Sequence, residues 1–100
     1  MPMKYFKVDK DSAGTTDWII MPNRKAPYTL LVDFNGATAT VDVEFSIEED
    51  PNDNSVEPIT HSVLKDVTES SSSDMKSPVS AFRLNVTAYT SGTITLRVVV

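Results

Sequence analysis

His61 is the only histidine in the chain, so any chemistry built on imidazole must centre there. A catalytic triad needs a base held against a nucleophile and oriented by a third group. Serine and aspartate are plentiful, yet no strained nucleophile motif such as G-x-S-x-G occurs. His61 falls instead within "PITHSVL", residues 58–64, which reads as a strand with Ile59, His61 and Val63 on one side. The plainer role is that of a structural or exposed strand residue.

Oxygen ligands come next. Asp50, Asn52 and Asn54 follow the D-x-N-x-N spacing that opens a calcium loop. That loop requires glycine at its sixth position and glutamate at its twelfth. Ser55 and His61 stand there, so the segment reads as a solvated turn. Glu48, Asp50 and Asp53 would be the ligands of any weak cation site on it. Glu48, Glu49 and Glu57 sit near one loop tip, where no cleft sets the carboxylate spacing that acid–base catalysis needs. Asn85-Val86-Thr87 matches a glycosylation sequon but lies inside an alternating segment and reads as strand. Trp18, with Tyr5, Tyr28 or Tyr89, has the chemistry of a sugar-stacking platform. Aromatic residues at strand spacing are more often core or interface anchors. No catalytic residue, cofactor or metal site emerges, and the expectation is a protein without enzymatic turnover.

Composition narrows the partners. The net charge is −5, and the nine Lys and Arg are scattered among fourteen acids. Lys4, Lys7 and Lys10 form a solvated edge, not the basic patch that phosphate backbones demand. The longest apolar runs, "WIIM" and "VVV", are too short to span a bilayer or to form a signal-peptide core. With no cysteine, disulfide and thiolate-metal scaffolds are excluded for these 100 residues. Neither nucleic acid nor membrane is an expected partner.

The elements that position these groups are strands. In "AFRLNVTAYTSGTITLRVVV", residues 81–100, Phe82, Leu84, Val86 and Ala88 alternate with polar residues. Ile94, Leu96, Val98 and Val100 do so again after a turn. A three-residue loop, Thr90-Ser91-Gly92, with Gly92 in the left-handed region, pairs Ala88 with Ile94, Val86 with Leu96, Leu84 with Val98 and Phe82 with Val100. On this reading the last strand completes the core and needs no tail beyond Val100. A second hairpin is expected at Asn35-Gly36, pairing Val32 with Ala39, Leu30 with Val41 and Tyr28 with Val43. Its outer face, Thr38, Thr40, Asp42, Glu44 and Ser46, is expected in water. Residues 4–8, 16–21 and 58–64 read as weaker strands. Residues 48–55 read as an acidic turn, and residues 66–78, polar and serine-rich, as a mobile loop. Six to eight short strands in one 1–100 domain imply an all-β antiparallel sandwich, jelly-roll or Ig-like, ending on a C-terminal hairpin.

The run from Ala81 to Leu96, "AFRLNVTAYTSGTITL", resembles the C-terminus of small β-rich virion proteins of tailed bacteriophages. "ATATVDVEFSIEEDP", residues 37–51, is similar to the middle of such proteins more loosely. The resemblance implies a non-enzymatic structural protein located in the virion and assembled in the bacterial host cytoplasm. Its first form is a capsid decoration (cement) protein bound across subunits of the major capsid protein. A neck, tail or fibre module is the alternative, as is a surface carbohydrate-binding module. Homo-oligomers are expected. Docking should use strand edges and outward apolar residues. In the registers above, Leu31, Val99 and Tyr89 point away from the core face. The terminal hairpin carries Arg83 and Arg97 as its only charges and no proline, which makes it the expected docking edge. The strand around Tyr5 and Phe6 is its expected mate. The candidate interface is therefore Tyr5, Phe6, Leu31, Tyr89, Arg97 and Val99.

Overall fold

A computed structural model describes residues 5–21, 27–48, 58–61 and 63–99. Among these the regular structure is entirely strand: β1 (Tyr5–Lys10), β2 (Gly14–Thr15), β3 (Ile19–Ile20), β4 (Tyr28–Asp33), β5 (Thr38–Ser46), β6 (Ile59–Thr60), β7 (Ser71–Met75), β8 (Ala81–Ser91) and β9 (Ile94–Val99). They form two antiparallel sheets, β1-β9-β4-β7 and β2-β8-β5-β6, with β3 also on β8. Successive strands mostly change sheet, the double-sheet wiring of a jelly roll. The all-β sandwich read from the alternation is thus the observed fold, and the chain ends on a strand–turn–strand unit.

The inward positions explain the two layers. Leu30, Val32, Leu96 and Val98 of one sheet, and Val41, Val43, Phe82, Leu84 and Val86 of the other, are all buried in one cluster. Tyr28 meets Phe82 edge-on across the gap, with ring centroids 5.3 Å apart. Its hydroxyl donates to the Val79 carbonyl, so the buried phenol keeps a partner.

The pairing differs from the hairpin expectation. Both turns form. Asn35 and Gly36 take φ of 50° and 79°, and the Ala37 N–H donates to the Phe34 carbonyl. Gly92 takes φ of 90°. The strands flanking each turn nevertheless lie in opposite sheets. Leu30 pairs with Val98 and Val32 with Leu96, while Val41 pairs with Val86 and Val43 with Leu84. Each turn is an arch over the core. The physical reason is that alternation tells which face of a strand is buried. It does not tell whether the matching apolar face lies beside it in a sheet or opposite it across the core. The predicted pairing of Phe82 with Val100 has a partner outside the described residues.

Other expectations change as well. Residues 71–75 of the predicted serine-rich loop are β7, an edge strand laddered onto β4 from Tyr28↔Met75 to Val32↔Ser71. Backbone pairing to a buried neighbour forms this strand without an apolar face of its own. The 16–21 segment is strand only at β3. Alongside β8, the Thr16 N–H donates to the Leu84 carbonyl and the Leu84 N–H donates to Thr16 Oγ1, so a hydroxyl replaces one rung of the ladder. Glu44 and Ser46, expected in water, are buried. The 58–64 strand stops at Thr60; beyond it His61 and Leu64 turn inward, while Ile59 and Val63 stay exposed. The acidic turn lies largely outside the described residues, including Asp50, Asn52, Asp53 and Asn54.

Candidate interaction surface

The ladder of the four-stranded sheet sets out its outer face in rows. Tyr5, Val99, Thr29 and Asp74 stand in one row; Lys7, Arg97, Leu31 and Ser72 form the next. Their neighbours in sequence, such as Val98, Leu30, Leu96 and Val32, are buried, so the side chains of Val99, Thr29 and Asp74 and of Lys7, Arg97, Leu31 and Ser72 face outward. Leu31, Arg97 and Val99 are half-buried here. The structure therefore brings together three of the expected interface side chains, with the backbone of Tyr5 beside Val99. Phe6 and Tyr89 are elsewhere. Phe6 pairs with inward-facing Val98 and packs on the core. Tyr89 belongs to the other sheet, packs on the core, and donates its hydroxyl to the Gly92 carbonyl at 2.9 Å.

The expected docking edge also moves. β9 lies between β1 and β4, and β8 between β2/β3 and β5, so the terminal unit is interior to both sheets. The strand of Tyr5 and Phe6 does mate with β9, but within the same chain. β1 and β7 border the four-stranded sheet instead.

One end of this face is polar. Asp9, Thr95 and Asp33 share a row. Thr95 Oγ1 donates to Asp9 Oδ1 at 2.6 Å, and Asn35 Nδ2 donates to the Thr93 carbonyl at 3.3 Å. Arg97 Nη1 meets Asp33 Oδ2 at 3.2 Å in a half-buried pair near the surface. The Asn35 backbone N–H, helped by the Arg97 guanidinium, holds the Asp33 carboxyl below its usual range.

The outer face of the five-stranded sheet carries a cluster that sequence reasoning missed. Arg83 Nε donates to Glu44 Oε1 at 2.7 Å, and Asn85 Nδ2 donates to Glu44 Oε2 at 3.1 Å. The Arg83 guanidinium lies 4.5 Å from the centroid of the Trp18 ring. Glu44 stands opposite Arg83 in the β5–β8 ladder, so the signal becomes visible only once these two strands are placed side by side. Trp18 is not joined by Tyr28, which is buried, or by Tyr89, which packs on the core. Asn85 of the sequon is engaged by Glu44.

His61 is structural, one of the roles expected of it. It is buried, and Nδ1 accepts the N–H groups of Val63 and Leu64 at 3.1 and 3.2 Å. Among the described residues no group of three or more His, Cys, Asp or Glu is placed to hold a metal. No helix among them is long and apolar enough to cross a membrane.

The chain matches no protein-family model and no curated protein. It is similar in fold to a solved chain from the work "Bacillus endospore appendages form a novel family of disulfide-linked pili". The TM-score is 0.53 at 17% identity, over 98% of this chain and 85% of that one. At that identity the likeness concerns the fold.

Proposed function

We propose that this protein is a non-enzymatic structural component that acts by binding within a repeating assembly, in first place as a decoration protein on a tailed-phage capsid. The observation that carries the reading is the pair of adjacent outward rows that brings Leu31, Arg97 and Val99 onto one face, flanked by the strand edges of β1 and β7. Apolar side chains beside a guanidinium are the composition of an interface core. The phage resemblance of residues 81–96 supplies the particle. Many weak copies on one lattice gain avidity without new contacts.

A second reading, a subunit of a filament, is favoured by the fold likeness to a pilus protein. Residues 1–100 contain no cysteine, so these residues could not link copies by disulfides.

Two measurements separate the readings. Copy number in purified particles should reach the hundreds for capsid decoration and about ten for a neck or tail part, a difference set by lattice symmetry. Electron microscopy of the isolated protein should show fibres only if the filament reading holds. Leu31→Asp and Val99→Asp, placed on the outward face, should each weaken assembly at least about tenfold while leaving the circular dichroism unchanged. Assembly of both variants at parental strength would remove this face as the interface.

A further inference from the structure

The four-stranded sheet ends on two regular borders. β1 follows β9 from Tyr5↔Val99 to Lys10↔Ile94, and β7 follows β4 from Tyr28↔Met75 to Val32↔Ser71, with no register shift in either ladder. Among the described residues no further strand pairs with β1 or β7. Neither strand carries a proline or a bulge, two common guards of an edge. The Phe34 N–H turns toward β7 and donates to Ser70 Oγ at 3.0 Å. By strand alternation, Tyr28, Leu30 and Val32 then bond to β7, while Thr29, Leu31 and Asp33 bond to β9. The N–H and C=O groups of Ser72 and Asp74 therefore point away from β4, and the Asp74 carbonyl meets His61 Nε2 on that side at 3.2 Å. The same alternation carried across β9 points the N–H and C=O groups of Lys7 and Asp9 away from the sheet.

We propose that β1 of one copy pairs antiparallel with β7 of a second, so that the chain assembles head to tail by extending this sheet. The proposal rests on the assembly reading above and names its partner as another copy of this chain. Four strands in alternating directions leave β1 and β7 antiparallel. A copy displaced along the sheet therefore brings its β1 against β7 in the antiparallel sense. One register uses the whole of β7: Phe6 faces Met75, Lys7 faces Asp74, Val8 faces Ser73, Asp9 faces Ser72 and Lys10 faces Ser71. In it Phe6 and Met75, each packed partly on its own core, become an apolar pair. The exposed side chains of Lys7 and Asp74 meet with opposite charge. Lys7 and Asp9 on one strand, and Asp74 and Ser72 on the other, are the residues whose backbone groups point outward, so this register closes the rungs between them. The Asp74 carbonyl has a second lone pair beside the one that His61 meets.

The contact is heterologous. Each copy offers one β1 and one β7, so pairing propagates into a ring or a filament and does not stop at a dimer. It also joins the outer faces. The row of Val99, Thr29 and Asp74 runs on into Lys7 and Arg97 of the next copy, so the face that carries Leu31 becomes continuous along the assembly.

Cross-linking between copies tests the pairing. Partners in such a rung lie about 5.5 Å apart at Cα, within disulfide range. Lys7 and Asp74 of one chain are kept apart by β9 and β4. On mild oxidation, an equimolar mixture of the Lys7→Cys and Asp74→Cys proteins should give the mixed dimer well in excess of its statistical share. The doubly substituted chain should give a ladder of covalent multimers. Ser72→Pro removes an N–H that points away from β4, a change that an edge strand tolerates. Introduced into both proteins, it should lower mixed cross-linking at least about tenfold with the circular dichroism unchanged. Mixed dimers at or below the statistical share overturn the proposal, and so does cross-linking that Ser72→Pro leaves unaffected. If the proline variant does not fold, the mixture decides alone. The assembly reading fails separately: Leu31→Asp and Val99→Asp at parental strength remove the outward face, whatever the cross-linking yields.

Discussion

A methyl group added at Gly92 would sit 2.5 Å from the Ala37 Cβ and 2.6 Å from the Ala37 Cα. The first contact involves a side chain, but the second is backbone and cannot swing away. The φ of 90° adds strain for any L side chain. Gly92→Ala should therefore cost about 2–4 kcal/mol in a denaturant melt, and a loss within error of zero would contradict the close approach of the two arches. Glu44→Ala removes the acceptor of both Arg83 Nε and Asn85 Nδ2. It should cost about 1–3 kcal/mol, and Glu44→Gln should cost less. Asp33 sets an acid limit. Its carboxyl pKa is depressed on folding, so its stabilisation is complete above the unfolded value and is lost as pH falls through the folded one. Asp33→Asn should flatten the stability profile below about pH 4 and leave its shape near neutrality intact. At this scale the sequence was readable where geometry is local. Asn35, Gly36 and Gly92 announced their turns. Glu44 did not announce its burial, because its partner is Arg83 on a distant strand.

Strand extents were legible to within a few residues for β4, β5, β8 and β9 from their alternation, although register shifts between β5 and β8 leave Ala88, expected on the core face, exposed and bring Tyr89 onto the core. Their neighbours were not. An arch and a hairpin bury the same residues, and only the third dimension separates them. β7 was hidden for another reason: serine alternation carries no hydrophobic signal, and the strand exists through its ladder with β4. The sheet order can be checked with cysteines, since the chain has none of its own. Thr29 and Val99 are register partners on the outer face. Antiparallel partners lie about 4.5–5.5 Å apart at Cα, within disulfide range. Thr29→Cys with Val99→Cys should therefore cross-link within one chain on mild oxidation, and free thiols in the folded protein would argue against β4 and β9 being neighbours.

For the whole molecule, the wiring makes contacts distant in sequence. Tyr5 pairs with Val99, and Leu84 with Val43. Folds dominated by such pairings close large loops before contacts reward them, and they fold in about milliseconds to seconds. Stopped-flow refolding followed by Trp18 fluorescence should show this; a microsecond relaxation would not fit the topology. The candidate interaction face was only partly legible for the same reason. Leu31 and Val99 were read as outward, but their meeting on one face depends on β9 lying against β4. That placement also governs how the protein is made. β1 is translated before the other described strands, and its partner β9 after all of them. At about 5–20 residues per second, β1 waits several seconds or more without the strand it pairs with. The nascent chain thus carries an adhesive ribbon while the other described strands are made, and whatever shields that ribbon meanwhile, a chaperone or a neighbouring nascent chain, bears on the yield of folded protein.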